Sequence, residues 1–385
     1  MKNKIKVIAF YLPQFHEIPE NNRWWGKGFT EWVNVKKALP LFEKHNQPRI
    51  PYKNNYYDLS EVSTMKWQTK IAKENGIHGF CFYHYWFGGK LLLEKPVENF
   101  LKHTEIDFPF CISWANEHWT NQWVSSSNNV LIEQNYGDKE DWKKHFDYLL
   151  PFFQDKRYIK KDGKPVIVIY RPELIEKRKD MIEYWQTLAR NNGFSGLCVM
   201  GQRVDMLLNS PNADHSMIDY FIEYQPGTVF VTNKRNNPLI IRLKQIKRRY
   251  DYFIENHFPS ISGSTLLNKN RKLTVYKYDN IWDSIINLPP ISKKSIPCAF
   301  VDWDNTPRKG NRGIVVQGAN PKDFKKYFSK LVEKTKEEYN EDMLFIFAWN
   351  EWAEGGYLEP DEQNKYGYLE AIKEIIEKDN RGKSI

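Results

Sequence analysis

The chain has 385 residues, 41% of them hydrophobic and 15% aromatic, and a formal charge of +9 at neutral pH. That is enough for a large core, and no apolar run nears the length that crosses a bilayer, which excludes a membrane-spanning helix. The charge is local: residues 227–295 hold 13 Lys/Arg against 4 Asp/Glu, an excess equal to that of the whole chain.

The chain opens on basic residues and a short apolar stretch, 6–11. A secretory leader would run on to a small-residue cleavage site. Here Tyr11-Leu12-Pro13-Gln14-Phe15-His16 follows, so 6–11 reads as a first core strand and the cytoplasm as the expected location. The next loop sets Trp24, Trp25 and Trp32 within nine residues, with Glu31 beside them. Such rings either cap a barrel mouth or form a platform for a sugar. A helical pattern covers 59–74, and a strand at 79–85 ends in Tyr83-His84-Tyr85-Trp86. A helix at 97–103 precedes a strand at 108–114, which runs into Trp114-Ala115-Asn116-Glu117-His118-Trp119. Glu117 is a candidate acid. Helix 140–153, strand 166–170, helix 173–192 and strand 197–201 follow, and a strand at 220–224 carries Glu223. The basic interval 227–295 then intervenes. A strand at 298–301 leads to Asp302-Trp303-Asp304-Asn305-Thr306-Pro307-Arg308, a helix spans 321–337, a strand covers 344–349, and a last helix covers 366–378.

Eight apolar strands alternating with helices predict an α/β fold: a (β/α)8 TIM-type barrel with long aromatic-rich loops and a basic insertion between strands 6 and 7. One catalytic domain over 1–385 is the economical organisation. An open doubly wound sheet is the alternative, but it wants a glycine-rich phosphate loop after an early strand, and none is present. Cys81, Cys111, Cys198 and Cys298 each lie in an apolar run without metal or redox spacing, and read as buried inert thiols.

In a barrel the loops after the strands build the site. After the last strand stands Trp349-Asn350-Glu351-Trp352-Ala353-Glu354-Gly355-Gly356. Two carboxylates three residues apart beside indole rings suit glycosidic-bond chemistry: one handles the proton on the leaving oxygen, the other activates or replaces the nucleophile. Taken alone, acids and glycines after a strand are ordinary loop material. Tyr11, Gln14, His16, Trp24, Trp25, Glu31, Trp32, Tyr83, His84, Trp114, Asn116, Glu117, Trp119, Glu223, Trp303, Asp304, Asn305, Arg308, Trp349, Asn350 and Trp352 are the candidate substrate-binding residues. Hydroxyls want such polar partners and sugar faces want rings. His16, His84 and His118 sit on three loops without ligand spacing, a weak case for a metal.

Four blocks resemble the WbsX family: Phe10-Tyr11-Leu12-Pro13-Gln14-Phe15-His16, Trp24-Trp25-Gly26-Lys27-Gly28-Phe29-Thr30-Glu31-Trp32, the Asp302–Arg308 block quoted above, and Trp349–Gly355. They run from residue 6 to about residue 361. Members of this family accompany surface-polysaccharide genes and are commonly called glycosyltransferases. The family is also similar to glycoside hydrolase family 99, the endo-α-1,2-mannosidases, which are (β/α)8 barrels with a Glu-x-x-Glu pair. The resemblance implies Glu351 as the base on the substrate's own 2-hydroxyl, which attacks through a 1,2-anhydro sugar, and Glu354 as general acid and then base. No cofactor is implied. The expected partner is an oligosaccharide or polysaccharide, with no nucleic acid. The basic interval implies contact with an anionic lipid-linked glycan or the inner membrane face, unless it is a solvated helical face. The alternatives are a nucleotide-sugar glycosyltransferase of O-antigen or capsule assembly and a non-catalytic glycan-binding barrel. Against the first, Asp302-Trp303-Asp304 matches an Asp-x-Asp metal motif in letters only.

Overall fold

The computed structural model describes residues 4–120, 130–204, 215–232 and 273–382. Eight parallel strands close on themselves: β1 (Lys6–Tyr11), β2 (Ile77–Phe87), β3 (Phe110–Trp114), β4 (Lys164–Ile169), β5 (Cys198–Gln202), β6 (Tyr220–Glu223), β7 (Ser295–Phe300) and β8 (Met343–Phe347). Each pairs with its sequence neighbour, and β1 pairs with both β2 and β8, aligning Lys6 with Met343 and Tyr11 with Phe82. This is the expected (β/α)8 barrel. Its strands read as near-continuous apolar runs because both faces are covered, by the barrel interior and by the helices outside.

The helical layer comprises α1 (Val62–Glu74), α2 (Lys95–Lys102), α3 (Lys139–Gln154), α4 (Arg178–Asn191), α5 (Tyr278–Asn287), α6 (Pro321–Glu337) and α7 (Gly367–Asn380). Helix α6 has its start and its buried face written in sequence. The Asn320 side chain accepts from the Asp323 amide, Pro321 sits in the first turn, and Phe324, Tyr327, Phe328, Leu331 and Val332 form the buried stripe. Asp138 caps α3 in the same way, accepting from the Glu140 and Asp141 amides. Each cap stabilises its helix by about 1 kcal/mol. No helix among the described residues is long and apolar enough to cross a membrane.

Strand alternation sorts the side chains. On β2, Phe80 and Phe82 face out and meet Tyr11, while Tyr83 faces in and stacks on Phe10 at 5.6 Å. Phe10 also meets Tyr224 and Phe345, closing the barrel core beneath its mouth. All four cysteines are free and buried.

Strand boundaries agree with the sequence reading to within three residues, with two informative departures. The segment at 173–192 divides into a short turn at Pro172–Leu174 and helix α4. The last strand stops at Phe347, two residues early, because the Ala348 amide turns to bond the Gly356 carbonyl. The tryptophan-rich loop contains two short helices, Pro19–Trp25 and Glu31–Lys37. Of the basic interval, residues 233–272 lie outside the described residues and hold most of its cations, including Arg248 and Arg249. The rest contains α5, which the sequence reading missed.

Candidate active site at the barrel mouth

Glu351 and Glu354 come together at the end of β8. Asn350–Glu351 pairs antiparallel with Gly356–Tyr357, and the turn Trp352–Glu354 lies between. Gly355 allows this closure with φ +72°, a left-handed conformation. At Gly356 a Cβ would stand 2.2 Å from the Phe347 ring, so only glycine fits. Asn350 anchors the turn to the other side of the seam: its Oδ1 accepts from the Leu12 amide at 2.7 Å and its Nδ2 donates to the Leu12 carbonyl at 3.0 Å.

Both carboxylates contact one guanidinium. Arg308 Nη1 lies 2.8 Å from Glu354 Oε1, and Nη2 lies 3.4 Å from Glu351 Oε2 and 3.0 Å from Glu31 Oε2. The arginine is 4% exposed, Glu351 7%, Glu31 2% and Glu354 20%, so Glu354 is the acid most open to a ligand. Burial pushes the Glu351 carboxyl well above its usual range. Arg308 opposes that shift, while the carboxylates of Glu354 and Glu31 add to it. Three acids share this one cation.

The carboxylates floor a cavity of about 370 Å³ walled by Tyr83, Tyr85, Tyr170, Tyr224 and Trp119, with Glu117 and His118 at its rim. This volume suits a small ligand. Burial keeps the hydroxyls of Tyr83, Tyr170 and Tyr224 protonated, with nearby Glu351 reinforcing the effect. They are donors lining the same cavity as the acids. Glu117 is half exposed and bonds Arg171 at 2.5 Å.

The other candidates fall into three groups. Gln14, Trp25 and Glu31 line a small recess beside the cavity, and Trp24 leans edge-on against Trp119 at 5.7 Å. A second group braces the loops. Asp304 accepts from His45, Gln47 and Thr306, and its amide bonds the Glu354 carbonyl. Asn305 accepts from the Ile314 amide. Asn116 joins the Arg171 backbone through both its amide atoms.

The third group sits in the packing. Tyr11 bonds Gln68 on α1, and Glu223 accepts from Tyr339 and the Ile291 amide. His84 meets His145 of α3 at 2.9 Å, and Trp114 lies against His145 and Trp185. His118 accepts from the Gln134 amide, so the three histidines of the sequence reading have separate surroundings. His16 is buried, and burial lowers its pKa. Trp32 donates to the Tyr57 carbonyl, Trp303 packs on Phe347, Trp349 packs on Phe80, and Trp352 stacks on Tyr357 and donates to Glu359. The expected indole wall around the two acids is therefore built mostly of tyrosine. Alternation would point Trp349 inward with Phe345 and Phe347, but the strand ends at Phe347, so Trp349 leaves that face and packs on Phe80.

Tyr85, Tyr170 and Tyr224 fall at the ends of the expected strands but are not among the candidate site residues. Two-residue spacing was the available signal for the first: Tyr83 and Tyr85 share one face of β2, and His84 and Trp86 share the other.

The closed (β/α)8 barrel thus carries a ring-walled, acid-lined cavity at the C-terminal ends of its strands, where barrels of this class build their sites. The chain belongs to the family named Glycosyltransferase WbsX, which matches residues 7–372. It is 32% identical over 375 residues to "uncharacterized protein WxcX" of Xanthomonas campestris pv. campestris strain B100, covering 96% of this chain and 49% of that protein. The chain thus spans about half the length of the curated relatives it matches. In structure it is similar to the GH99 endo-alpha-mannosidase from Bacteroides thetaiotaomicron, at TM-score 0.54 and 13% identity over 97% of both chains. A "glycoside hydrolase-like protein" aligns at TM-score 0.57 and 13% identity, covering 98% of this chain and 95% of the other.

Proposed function

We propose that the chain cleaves or transfers an α-linked sugar of a bacterial surface polysaccharide with retention, using Glu351 and Glu354. The observation that carries this reading is the single guanidinium shared by both carboxylates on the floor of the mouth cavity. The family's name and the barrel shared with an endo-alpha-mannosidase support the substrate class. Glu351 takes the proton of the sugar's 2-hydroxyl as that oxygen attacks the anomeric carbon. The bond to the leaving oxygen breaks, and Glu354 gives that oxygen its proton. Water or an acceptor hydroxyl, deprotonated by Glu354, then opens the 1,2-anhydro ring, and the 2-oxygen recovers its proton from Glu351.

A pair that approaches from one side suits these two neighbouring oxygens. It is awkward for placing nucleophile and acid across the bond. The charge balance needs Arg308. In the free site the arginine lies closer to Glu354 than to Glu351. When Glu354 is protonated, its hold on the guanidinium weakens, and Arg308 is left to stabilise a charged Glu351 against burial.

The test is incubation with the producing organism's surface polysaccharide or its lipid-linked repeat, followed by mass analysis. Glu354→Gln and Glu351→Gln should each lower turnover by roughly 10²–10⁴-fold with binding retained. Unchanged turnover removes the residue from its role. The family's name also favours a second reading, a glycosyltransferase, which predicts no reaction until a nucleotide sugar or divalent metal is added. Glycan left unaltered under all these conditions indicates a binding barrel. A cytoplasmic position at the inner membrane face belongs to the same reading. Reversing Arg248 and Arg249 should then weaken binding to anionic vesicles in a salt-sensitive way.

A further inference from the structure

Behind the turn that carries the two acids lies a second cavity of about 460 Å³, which shares no lining residue with the mouth. Its volume falls within the range of small-molecule clefts, about 300–1,000 Å³. Trp352 borders it, while Glu351 and Glu354, on either side of Trp352 in the chain, line the mouth, so the two cavities meet at one turn. Three half-buried rings wall it: Tyr52, Trp67 of α1, and Tyr366 at the start of α7. Tyr52 and Tyr366 meet edge-on at 5.8 Å, and Trp67 leans on buried Tyr57 at 6.2 Å, so each ring is braced. The backbone holds the wall as well. The Tyr52 amide donates to the Pro360 carbonyl at 2.9 Å, and the Lys53 amide to the Glu362 carboxylate at 2.6 Å. Under these ties Lys53 and Asn54 both stand in the left-handed region, at φ +57° and +54°, a costly conformation that persists only where the surroundings impose it. The exposed side chains of Asn54 and Asn55 line the same cavity.

We propose that this cavity is a second, non-catalytic glycan site, which holds a neutral stretch of a polysaccharide beside the turn that bears Glu351 and Glu354. The C–H faces of the sugars lie on the rings of Tyr52, Trp67 and Tyr366. Their hydroxyls pair with Asn54, Asn55 and Lys53. Other occupants fit less well. Lys53 is the one Lys or Arg in the lining, and its ammonium already stands over the Tyr52 ring at 5.4 Å, so a quaternary ammonium is repelled. An anion meets the carboxylate of Glu359, whose donors Tyr57, Gln68 and Trp352 are already engaged. A polymer that reaches both cavities gains a second hold that a short oligosaccharide lacks. The proposal takes from the proposed function only the class of ligand, a glycan, and none of the chemistry of Glu351 and Glu354.

Fluorine NMR reads the two cavities separately and needs no turnover. The chain is labelled with fluorotryptophan, and Trp67→Phe and Trp119→Phe assign the lines of the second cavity and of the mouth. The unaltered chain is titrated with the producing organism's surface polysaccharide, and then with the same material cut to short oligosaccharides. The Trp67 line should shift or broaden with both. For the short pieces, Tyr366→Ala should weaken the Trp67 response by about tenfold and leave the Trp119 response as it was. For the polymer, it should raise the half-saturating concentration of both lines, because one hold is lost. A Trp67 line that stays still while the Trp119 line moves overturns the second site and leaves the mouth as a sugar site. A Trp67 response unchanged by Tyr366→Ala also overturns it, and Tyr52→Ala serves in its place if that variant fails to fold. Movement of the Trp67 line alone supports the second site and counts against the mouth. Two still lines overturn both. A Trp67 line moved by choline and not by glycan overturns the assignment to sugar.

Discussion

Arg308 is the residue on which the mouth depends. Its guanidinium offsets three buried or half-buried carboxylates, and no other cation contacts Glu31, Glu351 or Glu354 among the described residues. Replacing it with methionine keeps much of the volume and leaves the acids facing one another. Breaking a buried pair in this way costs on the order of 3–5 kcal/mol. The loss should shrink at acid pH, because Arg308 lowers the Glu351 pKa and its removal lets the acids take up protons. Urea unfolding of Arg308→Met at pH 7 and pH 5 checks this: a deficit that does not narrow at pH 5 contradicts the electrostatic role. Asp304 works at a distance. The contacts from His45, Arg49, Thr306 and Gln47 outweigh its burial and hold its carboxyl at about 2, and its backbone holds the Glu354 carbonyl. Asp304→Asn should therefore disturb the position of Glu354 without touching the cavity itself.

The critical element is the turn from the end of β8 to Glu359. Three constraints fix it: the Asn350 double bond to Leu12, the bridge between Asn350–Glu351 and Gly356–Tyr357, and the carboxylate of Glu359. That carboxylate accepts from Tyr57, Gln68 and Trp352, each at 2.7 Å. Gly356→Ala forces its Cβ against the Phe347 ring, so the bridge must open. A lower melting temperature together with lost turnover is expected, and a variant of native stability and activity would show that the bridge is dispensable. Glu359→Ala strands three buried donors, at about 1–3 kcal/mol each. Thermal melts of Glu359→Ala and Glu359→Gln should rank the glutamine variant between alanine and the unaltered chain.

How far the sequence reveals this turn is also a matter of elements. Apolar run length and flanking turn residues place all eight strands, and the position of Glu351 and Glu354 after the last strand follows. Which rings would wall the cavity depends on side-chain direction, and composition alone does not carry that. Trp349 and Trp352 read as substrate-binding rings, yet one faces Phe80 and the other Tyr357. Arg308 was chosen as a sugar contact. Its role as a clamp depends on Glu31, 277 residues away in the chain, and no local pattern reports that pairing.

For the whole molecule, acid stability reflects opposing buried groups. Burial brings His84 down to about 3 from 6.5, so between those values the folded state binds fewer protons than the unfolded chain and stability falls as pH drops. The full span is worth on the order of 5 kcal/mol. Glu359 has the opposite sign: burial raises it to about 7 from 4.5, so over that window the fold binds more protons and stability falls as pH rises. The two offset each other from about 4.5 to 6.5. Below 4.5 the Glu359 contribution is complete, His84 is still losing ground, and Asp304 begins to add its own loss as pH falls from 3.8 toward about 2. His145, also pushed well below 6.5 by burial, adds a loss of the same sign as His84, and Glu351, pushed well above 4.5 by burial, adds one of the same sign as Glu359. Replacing Glu359 with glutamine should therefore lessen the loss of stability as pH rises from 4.5 to about 7, and an unchanged slope over that window contradicts its assignment. Replacing His84 with glutamine should flatten the loss below 4.5.

The seam between β1 and β8 also sets a schedule. Trp349 donates its amide to the Phe10 carbonyl, and Asn350 grips Leu12. Strand β1 therefore waits for β8 before its second edge is covered. Until then a chain lacking β8 exposes two open flanks, on β1 and on β7, and lacks Glu351 and Glu354. Such open edges are templates for pairing with another chain. Closure of the ring and assembly of the mouth cavity therefore arrive together.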